Sequence, residues 1–107
     1  FYNNGIAITK GEQDEILNQV LIAQTADILL TMEDVEAAFV ISRRPDDSIG
    51  ISARSLGNIN VQLIMEELEG GGHLTNAATQ LYETSIEEVE QRLKEAIDKY
   101  LEGGKEK

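Results

Sequence analysis

Residues Val35 to Ala53 read VEAAFVISRRPDDSIGISA, and this stretch predicts the β-hairpin that organises the fold. The first arm is rich in β-branched and aromatic residues, which favour strands. Pro45 to Ser48 follow with a proline, two aspartates and a serine, which favour a tight turn. On the second arm Ile49, Ile51 and Ala53 recur with a period of two. The pattern predicts two antiparallel strands with this apolar face in the core.

The opposite face of the second strand carries Ser52 and Arg54, because successive side chains of a strand alternate between its two faces. A hydroxyl and a guanidinium on one face indicate a candidate ligand surface. Arg54 also has a simpler interpretation as a surface salt bridge to one of the many carboxylates, the more common role of an exposed arginine.

Upstream of the hairpin the sequence predicts one strand and one helix. Gly5 to Lys10 alternates apolar and polar residues, which is typical of a short strand. Glu12 to Met32 contains no glycine or proline, and spacings of three and four predict a buried helical face. That face comprises Leu17, Val20, Leu21, Gln24 and Ile28. Asp27 lies near it, either as a capped or paired carboxylate or, the interpretation we favour, at the edge of the buried face.

Downstream, Asn58 or Asn60 is predicted to cap a second helix. Its apolar positions follow the helical period and are Val61, Ile64, Met65 and Leu68. The run Gly70 to Gly72 is predicted to end this helix abruptly and to form a loop. Asn76 to Tyr82 then reads as a further strand.

Ser85 to Glu88 forms a capping-box sequence that predicts the start of the last helix. Its apolar face is predicted to contain Ile86, Val89, Leu93, Ile97 and Tyr100. Gly103 and Gly104 are expected to end it, with 103–107 as a frayed tail. These elements predict a single α/β domain over residues 1–107, with a mixed sheet of four or five strands and three principal helices.

Length and composition narrow the possible functions. The chain has 107 residues and no cysteine, which excludes disulfides and thiolate chemistry, and it has no apolar run long enough to span a bilayer. Its net charge of -11 disfavours long nucleic acids, although a local cluster of donors can still bind a small phosphorylated ligand. Because it begins at Phe1 rather than methionine, we expect it to be a fragment of a larger protein.

The three successive glycines before His73 are the most specific local feature. Glycine permits positive φ and lets backbone N–H groups approach a phosphate, so the run suits anion binding. The alternative is a purely structural role in ending the helix. His73 is the only histidine, and no acidic cluster with metal-ligand spacing surrounds it. The residues thus indicate an anion-binding module without a catalytic centre.

Residues 51–55 (ISARS) and 69–78 (EGGGHLTNAA) resemble the DHHA1 domain of DHH-family phosphoesterases. Many members carry glycine-glycine-histidine followed two residues later by alanine-alanine-glycine. Residues 73–79 (HLTNAAT) depart from that pattern by one extra residue and by Thr79 in place of the glycine. This variant is similar to the membrane-bound cyclic-di-AMP phosphodiesterases of the GdpP type, whose product is pApA.

The resemblance implies a division of labour between two domains. A DHH domain absent from this chain would bind manganese and hydrolyse the substrate, while this chain would bind no metal and would position the cyclic dinucleotide. It also implies that this chain is the C-terminal fragment of a larger protein, a cytoplasmic domain whose parent protein is anchored in the membrane. The residues assigned to substrate are Arg54, Ser55, Gly70, Gly71, Gly72, His73, Thr75 and Asn76.

Two alternatives remain open at this point. In the first, the parent protein is a DHH-type enzyme that acts on short oligonucleotides or nucleoside bisphosphates. In the second, this domain is a noncatalytic module that mediates homodimer or partner contacts. Nucleotide binding and the oligomeric state distinguish these alternatives.

Overall fold

The computed structural model describes residues 5–11 and 19–102. In these ranges five strands form one mixed sheet in the order β1-β2-β3-β5-β4, accompanied by three helices, so the predicted fold class is confirmed. The elements are β1 (Ile6–Lys10), α1 (Gln19–Leu30), β2 (Ala37–Arg43), β3 (Ile49–Ser55), α2 (Val61–Glu66), β4 (Gly71–His73), β5 (Asn76–Leu81) and α3 (Ile86–Glu102). No helix within them has the length and apolar content needed to cross a membrane.

The predicted hairpin is confirmed as the antiparallel pair β2–β3, in which Phe39 lies opposite Ala53. Its turn is closed by the Arg44 N–H, which donates to the Ser48 carbonyl at 2.8 Å. β1 adds to the outer edge of β2 in parallel. A parallel neighbour requires a crossover connection, and α1 lies in that crossover.

The main core lies on one face of the sheet, under α2 and α3. β2 and β3 contribute residues that include Phe39, Ile41, Ile49, Ile51 and Ala53. The predicted apolar faces of both helices are confirmed, because all of their named positions are buried. The Ser85 hydroxyl accepts a hydrogen bond from the Glu88 N–H at 3.1 Å at the start of α3, as the capping sequence predicts. The predicted stop at 103–104 and the tail at 103–107 lie outside the described residues.

Asn60, rather than Asn58, caps α2. Its side-chain oxygen accepts from the N–H groups of Gln62 at 3.0 Å and Leu63 at 3.3 Å. The other end of the helix differs from the prediction. Glu69, with φ 67°, takes the left-handed conformation that terminates the helical region, so the glycines do not perform this task. Gly70 follows it and donates its N–H to the Met65 carbonyl at 2.8 Å.

The predicted buried face of the first helix is wrong. Ile22 and Ala26 of α1 pack on Val40 of β2, whereas Val20 and Ile28 are 66% and 64% exposed. The error arises because α1 is apolar on more than one side, so helical spacing alone does not identify the face that packs. Ala26 is small and lets the helix backbone lie close to the sheet. Residues 12–18, including the predicted Leu17, lie outside the described residues.

Candidate functional site

Three of the predicted site residues form a row across one end of the sheet. Arg54 of β3 pairs with Asn76 of β5, and Asn76 pairs in turn with His73 of β4. Directly opposed residues of antiparallel strands project from the same face. The alternate positions Ala53 and Ala77 are buried in the main core, so the row projects from the opposite face of the sheet. Sheet order therefore joins residues that are about twenty positions apart in sequence.

The guanidinium of Arg54 contacts two neutral oxygen acceptors through Nη1 and one carboxylate through Nε. Its Nη1 donates to Asn76 Oδ1 at 2.6 Å and to the Ala53 carbonyl at 3.1 Å. Its Nε lies 3.5 Å from Asp27 Oδ1 of α1. These three contacts use Nη1 and Nε, and none of them uses Nη2. Arg54 therefore presents part of its donor fork to solvent in a fixed orientation.

The favoured interpretation of Asp27 as the edge of a buried stripe is wrong. Its side chain is 65% exposed and is paired with Arg54, the alternative that the sequence left open. The salt-bridge interpretation of Arg54 thus describes one real contact. Since the carboxylate is mostly exposed and the separation is 3.5 Å, the pair contributes little to stability.

The ligand surface predicted from the polar face of β3 is smaller than expected. Ser52 is only 8% exposed, and it lines a small cavity together with Ile22 of α1. α1 therefore covers this part of the strand. The open part of the face lies further along the sheet, where Ala78 of β5 pairs with Gly71 of β4 and is exposed. This pair places only a methyl group and a glycine beside the row.

The glycine run forms an edge strand instead of the predicted loop. Gly71, Gly72 and His73 pair with β5, which leaves part of their backbone donors and acceptors without a strand partner. A β-carbon at Gly70 would overlap Ala78 and Thr79. Gly72 has φ 145°, and its β-carbon would lie 2.5 Å from the α-carbon of Ala77. Packing thus requires these two glycines.

Gly71 is different from its neighbours. A β-carbon there would meet no atom within 4 Å, and its backbone conformation does not demand glycine. Because Gly71 is in register with Ala78, the added side chain would project from the same face as the Arg54 row. Internal packing therefore does not require glycine at this position. Close approach of a ligand to the backbone would require it.

Ser55 and the β4–β5 turn are tied together. The Ser55 hydroxyl donates to the Leu74 carbonyl at 3.2 Å and accepts from the Gly57 N–H at 3.2 Å. The Ser55 N–H donates to the Thr75 carbonyl at 3.0 Å, and the Thr75 side chain is exposed. Ser55 is 6% exposed, so its contribution in this geometry is to fix the turn that separates His73 from Asn76.

The local chemistry is that of a donor surface. Arg54 supplies a cation, His73 an exposed imidazole, and β4 its edge amides. Residues 5–11 and 19–102 contain no group of three or more histidine, cysteine, aspartate or glutamate side chains placed to hold a metal. This arrangement can orient an anionic ligand, and the described part of the chain offers no ligand set for a metal.

The chain is similar to known proteins over almost its whole length. The family model described as DHHA1 domain matches residues 3–103. The chain is 64% identical over 102 residues to the cyclic-di-AMP phosphodiesterase GdpP of Geobacillus thermodenitrificans, covering 95% of this chain and 16% of the relative. It is 58% identical over 105 residues to the protein of the same name from Bacillus subtilis, covering 96% and 16%. The chain thus spans about one sixth of these relatives.

A solved structure is also similar. An exopolyphosphatase-related protein from Bacteroides fragilis matches with a TM-score of 0.63 and 29% identity. The match covers 70% of this chain and 22% of that protein. The likeness supports the overall fold described above.

Proposed function

The chain belongs to the DHHA1 domain family, and on that basis we propose that it is the substrate-binding domain of a metal-dependent cyclic-di-AMP phosphodiesterase that releases pApA. The names of the relatives support the substrate, and their identity extends over almost the whole chain. The remainder of the protein would contain the hydrolytic DHH domain and a membrane anchor. That would place this domain in the cytoplasm.

The observation that carries the proposal is the row of Arg54, Asn76 and His73 beside the uncovered Gly71. A phosphodiester needs charge-assisted donors, and the guanidinium of Arg54 offers the N–H groups of Nη2, because Nη1 and Nε already have protein contacts. Nη2 suits this role because the contacts of Arg54 to described residues use its other nitrogens, and the neutral Asn76 holds the group without cancelling its charge. We assign Arg54 to a substrate phosphate.

His73 and the edge strand β4 complete the surface. The imidazole is exposed and can donate to or stack on a base or sugar, and glycine at position 71 lets the ligand approach the backbone. Asn76 and Ser55 act mainly by holding Arg54 and the turn, while Thr75 contributes an exposed hydroxyl. Gly70 and Gly72 permit β4 to lie against β5.

Manganese bound by the DHH domain would supply Lewis acidity for the hydrolysis. This chain's residues orient the dinucleotide and place donors where negative charge accumulates. The net charge of -11 does not oppose such binding strongly, since exposed charges farther than about 8 Å are largely screened at physiological salt. Local donors then dominate the interaction.

Calorimetric titration with cyclic-di-AMP tests the proposal, first on this chain and then on the complete enzyme. We expect the chain to bind more weakly than the complete enzyme, because part of the contact surface is missing while the cost of immobilising the ligand remains. Parallel assays of the complete enzyme with short oligonucleotides and nucleoside bisphosphates test the substrate. Faster hydrolysis of either of those compounds would contradict the assignment of cyclic-di-AMP as the substrate. A chain that binds no nucleotide and forms a stable dimer would indicate an interaction module.

A further inference from the structure

Thr79 lies beneath the start of the glycine strand. Its side chain is 8% exposed, and its hydroxyl donates to the Leu68 carbonyl at 2.7 Å in a buried hydrogen bond. Leu68 belongs to the turn that links α2 to β4. Carbonyls at the end of a helix have no intrahelical donor, so they depend on partners from elsewhere in the fold. Thr79 provides that partner from the neighbouring strand.

The same side chain contacts the first glycine. A β-carbon at Gly70 would overlap Thr79 and the carbonyl of Ala78, so the chain enters β4 pressed against β5 at this point. Ala78, which precedes Thr79, is paired with Gly71. One residue thus fixes the backbone immediately before the edge strand, and its neighbour pairs with that strand.

β4 is a short strand that is also held at its entry by the Gly70 N–H, which donates to the Met65 carbonyl, and at its far end by the turn that Ser55 fixes. It contains three residues and pairs with one strand only, so small shifts at its start are transmitted to Gly71 and His73. Binding groups must be held within roughly 0.5 Å of their productive positions to be effective. A fixed entry point is therefore valuable at this place in the fold.

We propose that Thr79 is a positioning residue that sets the location of Gly71 and His73 through its hydrogen bond to Leu68. This inference rests on the proposed function, because those two residues are the ones assigned to the ligand. The side chain of threonine suits this position for two reasons. The hydroxyl bonds the turn, while the rest of the side chain fills the space that glycine at position 70 leaves open.

The kinetic test uses three variants of the complete phosphodiesterase. Thr79→Val keeps the shape and removes the donor, Thr79→Ser keeps the donor, and Thr84→Val is the matched control. The Thr84 hydroxyl is buried and has no hydrogen-bond partner among the described residues. We expect Thr79→Val to raise KM about tenfold, comparable to one net hydrogen bond. kcat should change little, because a uniform loss of binding alters KM alone. Thr79→Ser should recover most of the loss.

A merely structural role predicts a different result. Partial unfolding would lower the active enzyme concentration, and hence the apparent kcat, while KM stayed constant. Equal KM values for Thr79→Val and Thr84→Val, or failure of Thr79→Ser to recover, would overturn the proposal.

Amide hydrogen exchange on the chain itself gives a reading that is independent of the substrate. Thr79→Val should accelerate exchange at Gly71, Gly72 and His73 without accelerating it in α3, and unchanged exchange there would reject the positioning role. If the wild-type enzyme cleaves no cyclic-di-AMP, the proposed function fails, and exchange alone then decides whether Thr79 positions β4.

Discussion

The guanidinium of Arg54 donates to the side-chain oxygen of Asn76 across the β3–β5 pair, with Nη1 2.6 Å from Oδ1. Because the partner is neutral, this hydrogen bond orients the cation without cancelling its charge. Asp27, the only acidic group paired with Arg54 in the described residues, is mostly exposed and lies 3.5 Å away. The positive charge therefore remains available to a ligand on the open face of the sheet.

Replacing Arg54 should weaken substrate binding while leaving the fold intact. We expect Arg54→Ala in the complete enzyme to cost about 1.5 to 3 kcal/mol of binding free energy, the range for a hydrogen bond to a charged group. The thermal midpoint should change little, because the pair with Asp27 is weak. Arg92→Ala is the control, since Arg92 lies on α3, on the other side of the sheet. Equal turnover of both variants would indicate that Arg54 forms only a surface salt bridge and does not bind the substrate.

Valine substitutions at two adjacent glycines should give opposite phenotypes. Gly72→Val should destabilise the domain, because φ is 145° and the new side chain would collide with Ala77. Gly71→Val should leave it folded, since the β-carbon has open space and valine favours strands. It should nevertheless abolish cyclic-di-AMP binding by occupying the ligand surface. Thermal melts and titrations of both chains provide the measurement, and normal binding by folded Gly71→Val would remove β4 from the site.

The cap of α2 gives a test of the fold alone. Asn60→Ala should lower the free energy of unfolding by about 1 kcal/mol, the usual cost of losing an N-cap side chain. Asn58→Ala is the matched control, because Asn58 is exposed and its side chain bonds only to Glu36. Urea denaturation of the three chains measures both effects. A larger loss of unfolding free energy for Asn58→Ala than for Asn60→Ala would contradict the assignment of Asn60 as the cap.

The ion pair between Lys10 and Glu90 predicts a pH dependence of stability. The hydrogen bond from Lys10 Nζ, at 2.8 Å, holds the pKa of Glu90 below its usual value. A carboxyl whose pKa is lower in the folded state stabilises at neutral pH and loses that contribution as pH falls through the folded pKa. Stability should therefore decline from about pH 4.3, the ordinary glutamate value, downward.

Glu90→Gln should flatten this acid limb of the stability curve, measured by denaturation at several pH values. Glu95→Gln, on the same helix and exposed, is the control and should preserve the slope of the wild type. The same hydrogen bond raises the pKa of Lys10, so its contribution to stability should be lost as pH rises from the ordinary lysine pKa through the raised pKa of the folded state. An unchanged acid slope in Glu90→Gln would show that the pair does not contribute.

The chain by itself should hydrolyse no cyclic dinucleotide, even with manganese added. Two-metal hydrolysis requires several carboxylate or imidazole ligands converging on one place, and no such group occurs in the described residues. The complete protein, for which we propose the phosphodiesterase activity, is purified in parallel as the positive control. Metal-dependent turnover by the pure chain would contradict the division of labour proposed above.

The sequence alone predicted the elements whose signals are local. The β2–β3 hairpin follows from alternation and from the turn at Pro45 to Ser48, and the buried faces of α2 and α3 follow from helical spacing. Each of these patterns is complete within a short segment, so one chain is enough to read it. The family resemblance also rested on residues within two short stretches, and the family model confirms it.

Tertiary structure decided the features that depend on distant neighbours. α1 is apolar on several sides, so only docking on Val40 selected Ile22 and Ala26 for burial. Strand order brought Arg54 beside Asn76, 22 positions away. Three glycines that look equivalent in sequence became distinct once β5 lay against them, because steric demand depends on which atoms occupy the space around a residue. Local periodicity encodes which segments form elements, whereas contacts between elements determine what each residue does.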